Sequence, residues 1–198
     1  MMVLGLTGSL GAGKSTVAQL LADAGAAVFD ADATVHDLYR GDAVAVIGEA
    51  FPGTIRDGAV DRDLLSRRVV ADSRALAKLE AIVHPLVRER QLKFRKTASE
   101  HGLRMAVLEI PLLVETGGEY RVDLVVLVTA PPEIRSRRVS KRPGMTEKRF
   151  RALTERQLPE SAKRSHAHVI IDNGGEPAGT AGQVADLVKM LAATIAGR

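Results

Sequence analysis

The sequence predicts an α/β fold in three layers, with a central, mostly parallel five-stranded sheet between helices. Three observations carry this reading. A glycine loop stands between an apolar run and a helical pattern near the start, and four more short apolar runs recur along the chain between helical patterns. Two helical stretches also exceed what connections within the sheet require.

The elements follow in order. MVLGLT at 2–7 is an apolar run that ends at glycines, and STVAQLLADA after Lys14 has helical spacing at Val17, Leu20 and Leu21. Gly25 closes that helix, AAVF at 26–29 forms a second strand, and the acidic triplet DAD at 30–32 falls where that strand finishes. MAVLEI (105–110), DLVVLVT (123–129) and HVII (168–171) supply the other strands, and a helical pattern runs from about Ala181 to Ile195. Strands that are apolar throughout are those covered on both faces, as in a parallel sheet.

Residues 33–104 form a helical insertion between the second and third strands, with patterns in DRDLLSRRVV, RALAKLEAIV and LVRERQLKFRK. Because proline disfavours an α conformation at the residue before it, one helix is expected to end at His84 and another to start at Pro85. A second stretch, 131–166, is mostly helical with breaks at Pro143-Gly144 and at Pro159.

Composition limits the function classes. At 198 residues and 45% apolar content, one domain can fill its core, and the absence of cysteine excludes disulfide and thiolate chemistry. No basic leader precedes MMVLGLTG, and the longest apolar runs are too short for a membrane span, so a soluble cytoplasmic protein is expected. The net charge of +4 is unevenly spread: residues 131–166 hold eleven Lys or Arg against four Glu, a local +7, which leaves the remainder at −3. Only six aromatic residues occur and just one of them, Phe150, stands in the basic run, too few for a stacking platform, so nucleic acid is not the expected partner.

The loop itself reads GSLGAGKS at 8–15 and fits G-x-x-x-x-G-K-[ST], a phosphate-binding P-loop, between a strand and a helix as that mechanism requires. Gly8, Gly11, Ala12, Gly13, Lys14, Ser15 and Thr16 are the expected nucleotide contacts: converging backbone N–H groups hold phosphate oxygens, Lys14 reaches the β and γ phosphates, and Ser15 ligates Mg²⁺. The fold class is thereby narrowed to a P-loop NTPase with a helical insertion and a helical lid.

Asp30 and Asp32 stand at the carboxyl edge of the sheet, where ligands of open parallel sheets bind. Alternation along an extended chain would point both carboxylates to one side. Asp32, further beyond the strand, is the expected general base toward an acceptor hydroxyl, with Asp30 on the metal; either could instead cap the helix ATVHDLY. His36 follows close by. Arg138 and Arg142, one helical turn apart, are the arginines expected to close on the triphosphate. Guanine-reading motifs N-K-x-D and D-x-x-G are missing at the late and third strands, which excludes a switch GTPase. Glu109 and Glu115 flank IPLLV at the same sheet edge, and His84 reads either as a packed or capping residue or as part of the acceptor site.

GLTGSLGAGKST, DADATVH, LEAIVHPLVR, IPLLVE and RQLPESAKRSHAHVIIDNGG, in this order and spacing, resemble the dephospho-CoA kinase family across nearly the whole chain. The resemblance implies a single kinase domain over 1–198 that takes ATP with Mg²⁺ and phosphorylates the ribose 3′-hydroxyl of dephospho-CoA, the last step of coenzyme A synthesis. It implies Asp32 as base, Arg138 or Arg142 as lid arginine, Asn173 near the adenine, residues 33–104 as the acceptor-binding insertion and 131–166 as the lid. His36, His84, Pro85 and Leu112 join Asp32 as expected substrate contacts, with no membrane partner and a monomer or weak homo-oligomer. The chain departs from the family pattern at Glu109, where Asp is frequent, at Val114, where Phe is common, and at His168, where Asp is usual. The rival readings are a P-loop kinase for a nucleoside, nucleotide or carbohydrate acid, and a nucleotide-gated nucleic-acid-binding protein.

Overall fold

The computed structural model describes all residues except 71, 119, 120, 143, 156, 197 and 198, and all their side chains except those at 148, 149, 152, 195 and 196. In chain order its elements are β1 (Met2–Gly8), α1 (Lys14–Asp23), β2 (Ala27–Asp30), α2 (Ala31–Leu38), α3 (Val44–Ala50), β3 (Ile55–Arg56), β4 (Ala59–Val60), α4 (Arg62–Val69), α5 (Ser73–Glu100), β5 (Met105–Glu109), β6 (Leu124–Thr129), α6 (Pro132–Ser140), α7 (Glu147–Glu155), α8 (Glu160–His166), β7 (Val169–Asp172) and α9 (Pro177–Ala196). They divide into two compact units, Met1–Phe29 with Ala98–Arg198, and Asp30–Thr97.

The first unit is built on a five-stranded sheet in the order β2-β5-β1-β6-β7. Every residue of β1 is buried, and it pairs in parallel with β5 on one side (Leu4 opposite Val107) and β6 on the other (Leu6 opposite Val126). Even-numbered Met2, Leu4 and Leu6 share one core with Val126, Val128 and Ile171, with Val17 and Leu21 of α1, and with Val184, Leu187 and Leu191 of α9. Val3, Val125 and Leu127 are buried on the opposite face, which is why these strands read as continuous apolar runs. The chain leaves β1 toward β2 and returns across β1 to reach β6 and β7, so strand order reverses at β1. Ligands of doubly wound sheets bind at the carboxyl end of such a reversal, and β1 delivers the glycine loop there.

The second unit has its own core, in which Leu38, Ile47, Phe51, Val60, Leu65, Val69, Leu79 and Val83 are buried together. It contains a feature absent from the sequence reading, a hairpin in which Ile55 pairs with Val60 and Arg56 with Ala59. Asp57 and Gly58 turn it with φ of 48° and 74°, the doubly positive geometry of a type I′ turn.

The expected helix boundary at His84 is overturned: α5 runs unbroken through Pro85. Proline there removes the N–H that would bond the Ala81 carbonyl and costs about 3 kcal/mol in a helix interior. The apolar stripe continues past it, because Leu86 and Val87 pack on the same core as Leu79, Ile82 and Val83. Their partial burial contributes on the order of 2 kcal/mol and, with the buried Leu79 and Val83 before them, helps to offset the proline. Among the described residues no helix is long and apolar enough to cross a membrane.

Candidate active site

The glycine loop begins where β1 ends at Gly8 and closes at Gly13, the N-cap of α1, whose φ of 92° puts it in the left-handed region. No side chain caps this helix, so its amino end faces outward with its partial positive charge. Inside the loop the Ala12 N–H donates to Ser9 O at 3.0 Å. Lys14 Nζ folds back to donate to Gly8 O at 3.1 Å, which stretches its aliphatic stem along the loop and sets the ammonium at the strand end.

Three expected residues from distant parts of the first unit meet at this loop. Asn173, 6% exposed just after β7, donates from Nδ2 to Ala12 O at 2.8 Å and accepts at Oδ1 from Thr180 Oγ1 at 3.0 Å. Arg138, in the last turn of α6, donates from Nη1 to Ala12 O at 3.2 Å and from Nη2 to Asn173 O at 2.8 Å. Arg142 lies one turn further and lines the same cleft, of about 420 Å³, together with Gly11, Gly13, Ser15 and Thr16. Gly13 is required at close quarters, because a Cβ there would stand 2.0 Å from Asn173 Nδ2. The result is a concave surface with backbone donors on one wall and two guanidinium groups on the other, suited to a polyanion.

Asp30, Asp32, His36, His84 and Pro85 belong to the second unit. The expected extended alternation of Asp30 and Asp32 is overturned, because α2 starts at Ala31. Asp30 is its N-cap, with Oδ1 accepting from Ala33 N at 2.9 Å, so its carboxylate satisfies a helix-end donor and Asp32 falls in the first helical turn, exposed. His36 is half-buried in the last turn of α2, and its Nδ1 is buried with no hydrogen bond. His84 and Pro85 are exposed along α5. In the first unit, Leu112 is half-buried in the turn after β5, where its carbonyl accepts from Thr116 N at 3.1 Å, and it does not line the cleft.

Sequence reasoning missed how the basic segment is anchored. Lys163 of α8 is 0% exposed, its Nζ 2.8 Å from Glu115 Oε1, and the same oxygen accepts from Leu158 N at 2.9 Å. One of the eleven basic residues is thus not on a solvated face. Gln157 Oε1 accepts from the phosphate-loop Leu10 N–H at 2.9 Å. Pro159 is the N-cap of α8, whereas the break at Pro143 lies outside the described residues. His168 immediately precedes β7: its N–H donates to Val125 O at 2.9 Å and its Nδ1 accepts from Val125 N at 3.1 Å. The imidazole therefore does here what a carboxylate oxygen would do at the same place.

Known proteins match this arrangement. A family model described as dephospho-CoA kinase matches residues 2–178. A dephospho-CoA kinase of Rhodopseudomonas palustris strain HaA2 is 52% identical over 172 residues, covering 87% of this chain and 86% of its own. A solved Thermus thermophilus protein superposes with a TM-score of 0.84 at 36% identity over 96% of each chain. The dephospho-CoA kinase of Campylobacter jejuni, at 22% identity and TM-score 0.70 over 96% of each chain, shares the fold. Phosphate loop, arginine wall and family match agree over nearly the whole length, and the chain belongs to the dephospho-CoA kinase family.

Proposed function

We propose that the protein transfers the γ-phosphate of ATP to the ribose 3′-hydroxyl of dephospho-CoA, giving coenzyme A. The observation that carries this reading is the convergence of Arg138 and Asn173 on the phosphate-loop carbonyl of Ala12 in a chain of this family. ATP lies in the cleft with its phosphates along the loop from Gly8 to Thr16. Asn173 and the walls beside it take the adenine end.

Phosphoryl transfer needs little covalent chemistry from a protein; it needs alignment and neutralisation of charge. Lys14, poised at the strand end of the loop, meets the oxygens between the β and γ phosphates. Arg138 is already fixed at both hydrogen-bonding edges, so its charge reaches the transferring group without a search through rotamers, and Arg142 adds a second cation as residues 131–166 close as a lid. Asp32 takes the proton from the 3′-hydroxyl, and residues 33–104, with His36, His84 and Pro85 among them and Leu112 from the first unit, bind the acceptor. A long acceptor suits an insertion of this size. Excluding water as the lid closes keeps transfer ahead of hydrolysis.

Among the described residues no group of three His, Cys, Asp or Glu could hold a metal ion alone. The residues fit a magnesium ion that arrives with the nucleotide, because Mg²⁺ commonly keeps waters and phosphate oxygens and takes few protein ligands. Ser15 on the cleft wall would hold it, with Asp30 supplying its second carboxylate oxygen, and when bound the ion neutralises charge on the β and γ phosphates. The test is ATP consumption by the purified protein with and without dephospho-CoA, with the product's new phosphate located by mass spectrometry and NMR. ADP release matched one-to-one by a 3′-phosphorylated product is expected; no such product would overturn the assignment.

A further inference from the structure

A phosphate loop works when successive peptide N–H groups aim at one point, and a glycine-rich segment pays conformational entropy to hold that aim. Three of the loop's residues are set by contacts already described: Gly8 by Lys14, Ala12 by Arg138 and Asn173, and Gly13 by the close approach of Asn173. The remaining span, Ser9 to Gly11, has one long-range side-chain bond to its N–H groups among the described residues, that from Leu10 N to Gln157 Oε1.

Gln157 is itself held. Its N–H donates to Thr154 O at 2.9 Å, closing the end of α7. The next residue, Leu158, donates its N–H to Glu115 Oε1, and the same oxygen faces the Lys163 ammonium, with Glu115 10% and Lys163 0% exposed. A buried carboxylate thus fixes the backbone on one side of Gln157 and the helix that follows. Such a pair has few alternative positions, because leaving it would strand a buried charge. The glutamine amide is presented to Leu10 from a rigid mount, and an uncharged acceptor does so without placing an anion beside the phosphates.

We infer that Gln157 is a positioning residue for ATP: by accepting the Leu10 N–H from a mount made by Glu115, Leu158 and Lys163, it preorganises the first half of the phosphate loop. It acts through the loop peptide and touches no reacting atom. The inference rests on the kinase reading above. A fixed loop avoids the ordering cost on nucleotide binding, and one net hydrogen bond corresponds to a change of about threefold to tenfold in affinity.

The experiment compares Gln157→Met, which keeps length and apolar stem but removes the acceptor, with Gln157→Glu, which keeps an acceptor oxygen. Both are made in the full chain. Amide hydrogen exchange at Leu10, the Kd for ATP, and the KM values for ATP and dephospho-CoA are measured beside the melting temperature. The Met variant is expected to lose Leu10 protection and to weaken ATP binding by about threefold to tenfold, with KM for dephospho-CoA and melting temperature unchanged. The Glu variant is expected to keep Leu10 protected. Equal protection and equal ATP affinity in wild type and the Met variant, with normal kinase activity, would overturn the inference and leave the kinase reading standing. Wild-type protein that bound no ATP would overturn both.

Discussion

Arg138 and Asn173 share one acceptor: Nη1 of the arginine and Nδ2 of the asparagine both donate to the carbonyl oxygen of Ala12, at 3.2 and 2.8 Å. They are also joined to each other, because Nη2 of Arg138 donates to Asn173 O at 2.8 Å. The two residues therefore form one clamp on the phosphate loop, and their substitutions should not act independently. Arg138→Lys loses the planar fork and is expected to lower kcat by about 100-fold. Asn173→Ala leaves Ala12 O and Thr180 Oγ1 short of a partner and should weaken ATP binding by about tenfold. Steady-state kinetics on the double mutant checks the coupling: a combined loss smaller than the product of the single losses is expected.

Gly13→Ala should be worse than either for nucleotide binding. The new Cβ meets Asn173 Nδ2 at 2.0 Å on a residue whose φ is 92°, so the clamp must open and the backbone must strain together. Strain alone at such a position costs about 1–2 kcal/mol. Calorimetric titration with ATP is expected to show affinity reduced by at least about tenfold, with the fold retained by circular dichroism.

Asp32→Asn tests the proposed base. Removing a general base typically costs about 10²–10⁴-fold in the chemical step. Transfer to dephospho-CoA should fall within that range while the Kd for ATP stays within about twofold, since Asp32 is assigned to the acceptor and not the nucleotide. Undiminished single-turnover transfer would remove Asp32 from the mechanism.

Lys163→Met leaves the Glu115 carboxylate buried without its cation and should destabilise the protein by about 3–5 kcal/mol. Adding Glu115→Gln removes the stranded charge while keeping an oxygen for Leu158 N–H. The double variant is expected to recover much of the loss in urea unfolding. A Lys163→Met protein as stable as wild type would contradict the burial of this pair.

Acid should weaken the head of α4. The Asp61 carboxylate accepts from Leu64 N and Asp63 N at the head of this helix, each at 3.0 Å, with Arg56 Nη1 3.3 Å away. The backbone bond from Leu64 is the main cause holding its pKa below the usual carboxylate value; desolvation opposes it, and the Asp63 bond and the charges of Arg56 and Arg67 add to the lowering. A depressed folded pKa gives stability that is fully present above the unfolded value, about 3.9, and is lost as pH falls through the folded one. Asp61→Asn keeps a cap oxygen but cannot titrate, so the acid limb of stability should flatten. Carboxyl chemical shifts followed by NMR check both points.

The sheet was legible because its signal is local and repeated: each strand is a short apolar run, and GSLGAGKS fixes the direction of the first crossover. The clamp was legible only in part. Arg138 and Asn173 could be named, but their common target, a backbone carbonyl, leaves no mark in a sequence. Glu115 and Lys163 could not be paired across a separation of 48 positions, because a lysine in a basic run looks solvated until packing buries it. Pro85 misled for a definite reason, since a local rule yielded to an apolar stripe that runs past it on both sides. The hairpin at 55–60 was readable: IRDGAV carries the Asp-Gly turn signal between two residues that reach strand geometry on either side. At Asp30 the two local alternatives were both visible, and the cap prevailed because the first turn of α2 needs an acceptor.

The clamp also sets an order of events during synthesis. Ala12 and Asn173 are separated by 161 positions, and Ala12 and Arg138 by 126. At about 5–20 residues per second, roughly ten seconds or more pass between the emergence of the glycine loop and that of the asparagine that grips it. For the first part of that interval β1, apolar along its whole length, also lacks β5 and β6, so the nascent chain carries an unpaired apolar strand and an unformed nucleotide site together. Nucleotide binding competence is therefore gained late, after β5 and β6 have become available to cover β1.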